Sequence, residues 1–307
     1  VKPDFIHAHD LPTMPFGTML KKILKAPLIF DMHENYPAAL NSYNKKGVFN
    51  KIFKNPKIAS NYEHKAIFKA NKIISVVEEN IERLVNMGKN RDDISLISNT
   101  VDLETFAQLP PQADIVNKYK NNYIILYTGG VTFNRGLETP LRAMEKIRKR
   151  IPNSLLLIIG EGDDRGRLKE IANNMKLNDV VKFIDWPGHE KLSSYLNVAD
   201  ICTIPQPNIE SNNTTIPHKL FEYMSQGKTL LVSDALPLKR IVTQAKCGVY
   251  FESFNIESFV EKVIYIYNSN ENFSVCGKKA VIEEYNWNKR EAKVLMNLYR
   301  KLSNYEL

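Results

Sequence analysis

Thr215-Ile216-Pro217-His218-Lys219-Leu220-Phe221-Glu222-Tyr223-Met224-Ser225-Gln226-Gly227, continued by Lys228-Thr229-Leu230-Leu231-Val232-Ser233-Asp234, reads as a loop, a helix, a glycine stop and a buried strand. Pro217 suits the first helical position, where a missing N–H costs nothing. Gly227 suits the position just past the end, where φ is often positive. Thr215 or Ile216 is then placed to cap a helix start whose free N–H groups attract anions. Glu222 follows just over one turn in, still within reach of a ligand held at that end. A pyrophosphate on the amides and a sugar hydroxyl on the carboxylate would together grip a nucleotide.

Outward from this stretch, short apolar runs alternate with amphipathic ones along the whole chain, the pattern of βα units and parallel sheets. In the first half the predicted strands are Asp4–Ala8, Leu28–Asp31, Lys72–Val76 and Ser95–Ile97, with helices over Met14–Leu24, Phe49–Phe68 and Glu78–Met87. Periodicity breaks at Leu109-Pro110-Pro111-Gln112, read as an interdomain linker. The second half restarts with strands at Tyr123–Thr128, Ser154–Ile159, Val181–Ile184, Ile201–Ile204, Thr229–Val232 and Val249–Phe251, and helices such as Gly136–Arg150 and Arg165–Met175 fill the intervals. Trp287–Leu302 reads as a basic amphipathic helix. The expected division is an α/β domain over 1–112, a second over 113–284 and a terminal helix over 285–307. The second half has the strands of a complete doubly wound domain. The first has fewer and opens at Val1 rather than Met, so its N-terminal part is expected to be missing.

The chain has 307 residues, enough for two domains with cores of their own. Cys202, Cys247 and Cys276 are few, odd in number and far apart, which suggests neither a disulfide framework nor a zinc site and fits a reducing, cytoplasmic setting. Apolar runs such as Leu155–Ile159 are strand-sized, far short of the roughly 20 residues that span a bilayer. The net charge of +8 implies anionic partners. No zinc-finger spacing, RNA-binding aromatic signature or compact basic helix accompanies it, so nucleic acid is not an expected partner.

Further motifs end the predicted strands, where open α/β sheets place ligands. Tyr127-Thr128-Gly129-Gly130-Val131-Thr132-Phe133-Asn134-Arg135-Gly136-Leu137 offers glycines for close backbone approach to a phosphate and Arg135 to pair with it. Ile6-His7-Ala8-His9-Asp10 puts two histidines on one side of an extended segment, like a bidentate metal pair. No third and fourth ligand stands at suitable spacing, so no metal is expected. Phe30-Asp31-Met32-His33-Glu34-Asn35 ends the next strand; His33 and Glu34 are either site residues or a local structural pair. Gly160-Glu161-Gly162 reads as turn chemistry. No carboxylate pair stands at glycosidase-like positions, so a double-displacement hydrolase is not indicated.

Taken in order from His9 to the terminal helix, these motifs resemble glycosyltransferase family 4, the retaining GT-B nucleotide-sugar transferases. The resemblance implies two Rossmann-like domains facing a cleft, the first incomplete here, with the terminal helix crossing back to the first. It implies transfer of a sugar from a nucleoside diphosphate sugar, UDP being the expected nucleotide, with no cofactor. It places His9 beside donor and acceptor and sets Arg135 and Lys219 on the departing diphosphate. Gly129, Gly130, His218 and Glu222 fall to donor binding, Glu222 on the ribose, with Trp186 near the base. His33 and Glu34 lie on the acceptor side, and Asn99 and Asp102 are structural. The chain departs from the pattern in three places: Gly130 stands where the family has an arginine, Arg135 where it has a lysine, and Thr214 where the first of two glutamates is usual. The expected acceptor is a glycan or lipid-linked hydroxyl in polysaccharide, lipopolysaccharide or glycolipid synthesis.

An anionic membrane surface is a further expected partner, met at the inner face of the cell membrane. Lysines at 45, 46, 51, 54, 57, 65 and 69 face one acid, Glu63, with Phe49 and Phe53 among them. The alternatives are a GT-B epimerase and a non-catalytic sugar-nucleotide-binding subunit, the latter drawing on Thr214 and Gly130.

Overall fold

The computed structural model describes residues 3–42, 55–104 and 110–303. Among the described residues ten strands form two parallel sheets. The first has β1 (Ile6–His9), β2 (Leu28–Met32), β3 (Lys72–Ser75) and β4 (Ile94–Leu96) side by side in chain order. The second contains β5 (Tyr123–Thr128), β6 (Ser154–Ile159), β7 (Val181–Ile184), β8 (Ile201–Ile204), β9 (Thr229–Ser233) and β10 (Gly248–Phe251), in the order β10-β9-β8-β5-β6-β7. Each lies within a residue or two of a predicted strand. Their apolar runs, such as Ile124–Tyr127 and Leu156–Ile159, are buried because helices cover both faces of a parallel sheet.

The two compact units do not divide at the expected linker. One takes the chain to Thr100, then Ile209–Pro217 and everything from Trp287; the other takes Val101–Asn208 and His218–Asn286. Val101 already pairs with Asn286 in a parallel bridge, which carries the chain into the second unit before residue 112. Of the predicted linker, residue 109 lies outside the described residues, as do residues 49–54 of the predicted helix Phe49–Phe68. Its described part runs Pro56–Lys69, started by Pro56 at the first position and by Asn55, whose Oδ1 accepts from the Lys57 amide at 2.9 Å.

In the first unit the strand alternation sorts side chains onto two faces. Leu28, Phe30 and Met32 pack with Leu11, Met14, Ala66 and Ile67. Ile29 and Ile74 face the other way, onto Leu298 and Leu302. These last belong to the terminal helix Ala292–Ser303, which follows a π turn over Trp287–Glu291. Burying each of these leucines is worth about 1.5–3 kcal/mol, so the last helix is part of the first unit's core. The segment Ile209–Pro217 is tied to the same unit. Glu210 accepts from Asn35 Nδ2 at 3.0 Å, Thr215 Oγ1 donates to the His33 carbonyl at 2.8 Å, and Asn99 Nδ2 donates to the Ile216 carbonyl at 3.0 Å.

Candidate functional site

In the second sheet the strand order reverses between β5 and β8, both followed by loops at their carboxyl ends. A crevice outside such a switch point is where open α/β sheets hold ligands. The short helix Lys219–Ser225 delivers Lys219 to this place. Its Nζ donates to the Thr128 carbonyl at the end of β5 and stands 4.1 Å above the centre of the Tyr127 ring. A side chain at Gly129 would meet that ammonium at 2.6 Å. Tyr127 is fully buried and donates its OH to the Gly130 carbonyl at 2.6 Å. Buried Tyr223 accepts from the Thr128 amide at 3.0 Å, locking the strand end from the helix side.

Lys219 as a residue is half-buried, but its ammonium is withdrawn from water. Desolvation, aided by the positive charge of Arg135 and opposed by Glu222, brings its pKa down to about 7. Three of the predicted residues therefore sit within electrostatic reach of one another: a cation on the edge of neutrality, a second cation on the turn Phe133–Arg135, and a carboxylate one turn along the helix. Two cations and an acid around open backbone suit a diphosphate attached to a hydroxyl-bearing group.

The glycines of Gly160-Glu161-Gly162, read from sequence as turn chemistry, shape this site. Gly160 has φ +133°, and a Cβ there would run into the Gly129 carbonyl; one on Gly162, at φ +156°, would run into that of Val131. The loops after β5 and β6 are thus laid against each other, joined by Val131 N to Glu161 O at 2.7 Å and Gly129 N to Ile159 O at 2.9 Å. Gly160→Ala is expected to cost about 2–4 kcal/mol through backbone strain and displacement of the Gly129 loop. Gly166→Ala, in a helix and with open space around it, should be neutral or stabilising. Urea melts of the two check this: a Gly160→Ala midpoint equal to the parent's would show that the close approach is dispensable.

Other expected residues lie as follows. His218 is exposed and immediately precedes the helix, which begins at Lys219 rather than at Pro217. Thr215 and Ile216 do not cap it, because their polar groups are engaged by His33 and Asn99. Gly227 follows the helix at φ +65°. Gly130 is exposed, with open space where a side chain would project. Trp186 is exposed beyond β7, two strands across the sheet from β5. Thr214 is buried, donating back to the Glu210 carbonyl at 3.1 Å, so its side chain is spent on its own turn.

The first unit carries a second constellation, at the carboxyl ends of β1 and β2. Buried Asp31 gathers three histidines: His7 Nε2 at 3.0 Å and His9 Nδ1 at 3.2 Å from Oδ2, and His33 Nε2 at 3.3 Å from Oδ1. The register forces this, since His9 is paired with Asp31 across the two strands. His7 and His9 stack with ring centres 4.6 Å apart, and His7 Nδ1 meets Tyr299 OH at 3.0 Å. Burial opposes ionisation of Asp31, yet hydrogen bonds from His33 and His7 outweigh it and hold the carboxyl well below the usual range. The Asp31 hydrogen bond raises His33, with Asp10 and Glu34 adding to the negative field. His33 therefore takes Asp31 as its ion-pair partner, and Glu34 acts on it through charge. Sequence spacing did not reveal Asp31 as a third group beside His7 and His9; only strand pairing brings it there.

The sequence profile of glycosyl transferases group 1 matches residues 110–281, and that of glycosyltransferase family 4 matches residues 1–105. An uncharacterized glycosyltransferase of Methanocaldococcus jannaschii is 24% identical over 97% of this chain and 75% of its own length. The glycogen synthase of Mycobacterium tuberculosis strain H37Rv is 20% identical over 81% of this chain and 56% of its own. The chain spans about half the length of several curated relatives it matches. Among solved structures, sucrose-phosphate synthase from Thermosynechococcus elongatus superposes with a TM-score of 0.79 at 19% identity, covering 97% of this chain and 73% of that one. Anabaena HepE in complex with UDP-glucose gives 0.76 at 13% identity, covering 97% and 79%. These likenesses establish the GT-B type of fold, two parallel-sheet α/β domains.

Proposed function

The chain belongs to the glycosyl transferases of group 1, with a family 4 first part, and from that premise we propose that it moves a hexosyl group from a nucleoside diphosphate donor to a hydroxyl acceptor with retained anomeric configuration. UDP is the proposed nucleotide, a choice supported by the UDP and UDP-glucose complexes of HepE. The observation that carries the reading is Lys219, held dry on the Thr128 carbonyl with Arg135 and Glu222 around it. A diphosphate entering there supplies the counter-charge that lets Lys219 hold its proton. As the anomeric carbon–oxygen bond breaks, negative charge gathers on the phosphate, and fixed cations stabilise that state more than the starting one. The acceptor oxygen bonds the same face, and its proton leaves to the departing phosphate oxygen. In this reading the two cations serve the leaving group without a metal, and His9 acts on the sugar.

Incubating the protein with a panel of nucleotide sugars, and reading released nucleotide with and without glycan or lipid-linked acceptors, tests the proposal. Donor binding without transfer to any acceptor would favour a non-catalytic subunit, and a free epimerised sugar would favour an epimerase. Glu222 is assigned to the ribose hydroxyls. Losing a charged hydrogen bond costs about 1.5–3 kcal/mol, so Glu222→Ala is expected to weaken UDP binding roughly tenfold or more by calorimetry. Unchanged affinity would remove Glu222 from the site.

The acceptor side is proposed to meet an anionic membrane at the cytoplasmic face, in polysaccharide, lipopolysaccharide or glycolipid synthesis. Lys45, Lys46, Phe49, Lys51, Phe53 and Lys54 lie outside the described residues. In the rest, Glu63 is buried on Arg83 at 2.7 Å, which leaves Lys57, Lys65 and Lys69 exposed with Ile58 and Phe68. The helix Asp10–Leu24 alongside exposes Phe16 and Ile23, each at 67%, with Lys22 and Lys25 nearby. Each basic residue adds about 1 kcal/mol near an anionic surface. Among the described residues no helix is long and apolar enough to cross a membrane. Liposome sedimentation is expected to show binding that needs anionic lipid, weakens with salt and drops when Lys65 and Lys69 become Glu. Equal binding to neutral vesicles, or none to either, would point to an acceptor free in solution.

A further inference from the structure

At the ends of β1 and β2, His7 Nε2, His9 Nδ1 and Asp31 Oδ2 offer one ligand atom each within 4.8 Å of one another. The two nitrogens are 3.0 and 3.2 Å from the shared oxygen. Tetrahedral zinc with bonds of about 2.0–2.1 Å keeps its ligands a little over 3 Å apart, so the two nitrogen–oxygen separations fit, and the nitrogens have to close on each other from within 4.8 Å. Asp31 is buried, and its other oxygen, Oδ1, is met by His33 Nε2 at 3.3 Å. The carboxylate is thus held more by its imidazole neighbours than by the fold's own donors.

We propose that His7, His9 and Asp31 form a site for a divalent transition ion of the zinc type, with the fourth position left to water or an added anion. Two imidazoles and a carboxylate suit zinc and disfavour magnesium, which prefers oxygen ligands. His9 presents Nδ1, and its exposure leaves the ring free to turn. The stacked rings must tilt towards each other to share one ion, a movement about soft terminal torsions. Tyr299 OH, 3.0 Å from His7 Nδ1, supplies the outer partner that lets His7 keep its proton on Nδ1 and turn the Nε2 lone pair to the metal. Binding releases any proton held on Nε2. His33 stands on the far carboxylate oxygen and steadies Asp31 from that side.

The consequence for catalysis rests on the reading of His9 given above: an ion here withdraws His9 from the sugar, so zinc inhibits transfer. Zinc titrated against the protein, in competition with a chromogenic chelator, is expected to show one equivalent bound per chain. His9→Gln, a change at an exposed ring, and His7→Gln should each weaken binding by at least about 100-fold, and Tyr299→Phe by about tenfold. His64→Gln, on another helix, should leave it unchanged. Cobalt should give the intense visible bands of a tetrahedral site in the parent only, and magnesium should not compete. Absence of binding, or equal affinity in parent and His9→Gln, overturns the site. Zinc that binds as described but leaves transfer untouched keeps the site and instead removes His9 from the transfer step.

Discussion

Lys219→Met is expected to lower turnover about 100- to 1,000-fold, the loss usual for one fixed donor aimed at developing charge. The rise in donor KM should be smaller, because the interaction strengthens as the diphosphate departs. The pH dependence gives a sharper signature. With its pKa brought down to about 7 by desolvation, Lys219 is largely neutral above that pH in the free protein. The donor diphosphate binds the ammonium form and so draws a proton in. UDP affinity should therefore fall as pH rises above about 7, by up to roughly tenfold per unit, since a unit of pKa is worth 1.36 kcal/mol. Calorimetry in buffers of different ionisation enthalpy should detect the proton uptake, and Lys219→Met should abolish it. Stability runs the opposite way. The unfolded lysine keeps its proton to its ordinary value of 10.5, so between about 7 and that pH the unfolded state binds more protons and the fold gains stability as pH rises. A variant with normal turnover and an unaltered affinity profile would take Lys219 out of the diphosphate site.

The parts of this protein visible in its sequence are those governed by local periodicity. Runs such as Tyr123–Thr128 and Ser154–Ile159 have no reading other than buried strands, and Gly227 marks a helix end because few residues accept its φ of +65°. What stayed hidden depends on groups far apart in the chain. Asp31 joins His7 and His9 only through parallel register, 24 residues from the first of them. Tyr223 reaches Thr128 across 95 residues, and nothing about a tyrosine inside an apolar helix announces that bond. Gly160 and Gly162 could have been suspected from being glycines in a turn, but not the carbonyls they make room for. The capping role expected of Thr215 failed for a similar reason: its hydroxyl had a tertiary partner in the His33 carbonyl. Ile209–Pro217 likewise follows its hydrogen bonds into the first unit rather than its neighbours in sequence.

His9→Ala is expected to reduce transfer about 100-fold, the loss that misplacing a bound reactant brings, while UDP binding by the second unit is kept. The ring is 62% exposed, so its removal leaves no cavity, and Asp31 retains His7 and His33 as partners. A folding defect is therefore not expected, and thermal melts should overlay. What the variant loses is an oriented imidazole. Nδ1 stands 3.2 Å from Asp31 Oδ2, so the ring is held beside that buried carboxylate. In the proposed reaction this imidazole meets a hydroxyl of the sugar being transferred. Asp31→Asn keeps His9 but removes the negative charge beside it, so it should fall between parent and His9→Ala in turnover. The assays belong in metal-free buffer with a chelator, so that occupancy of the histidine cluster does not enter the comparison. Near-normal transfer by His9→Ala would remove it from the reaction. A matching loss of UDP affinity would instead mean that His9 supports donor binding.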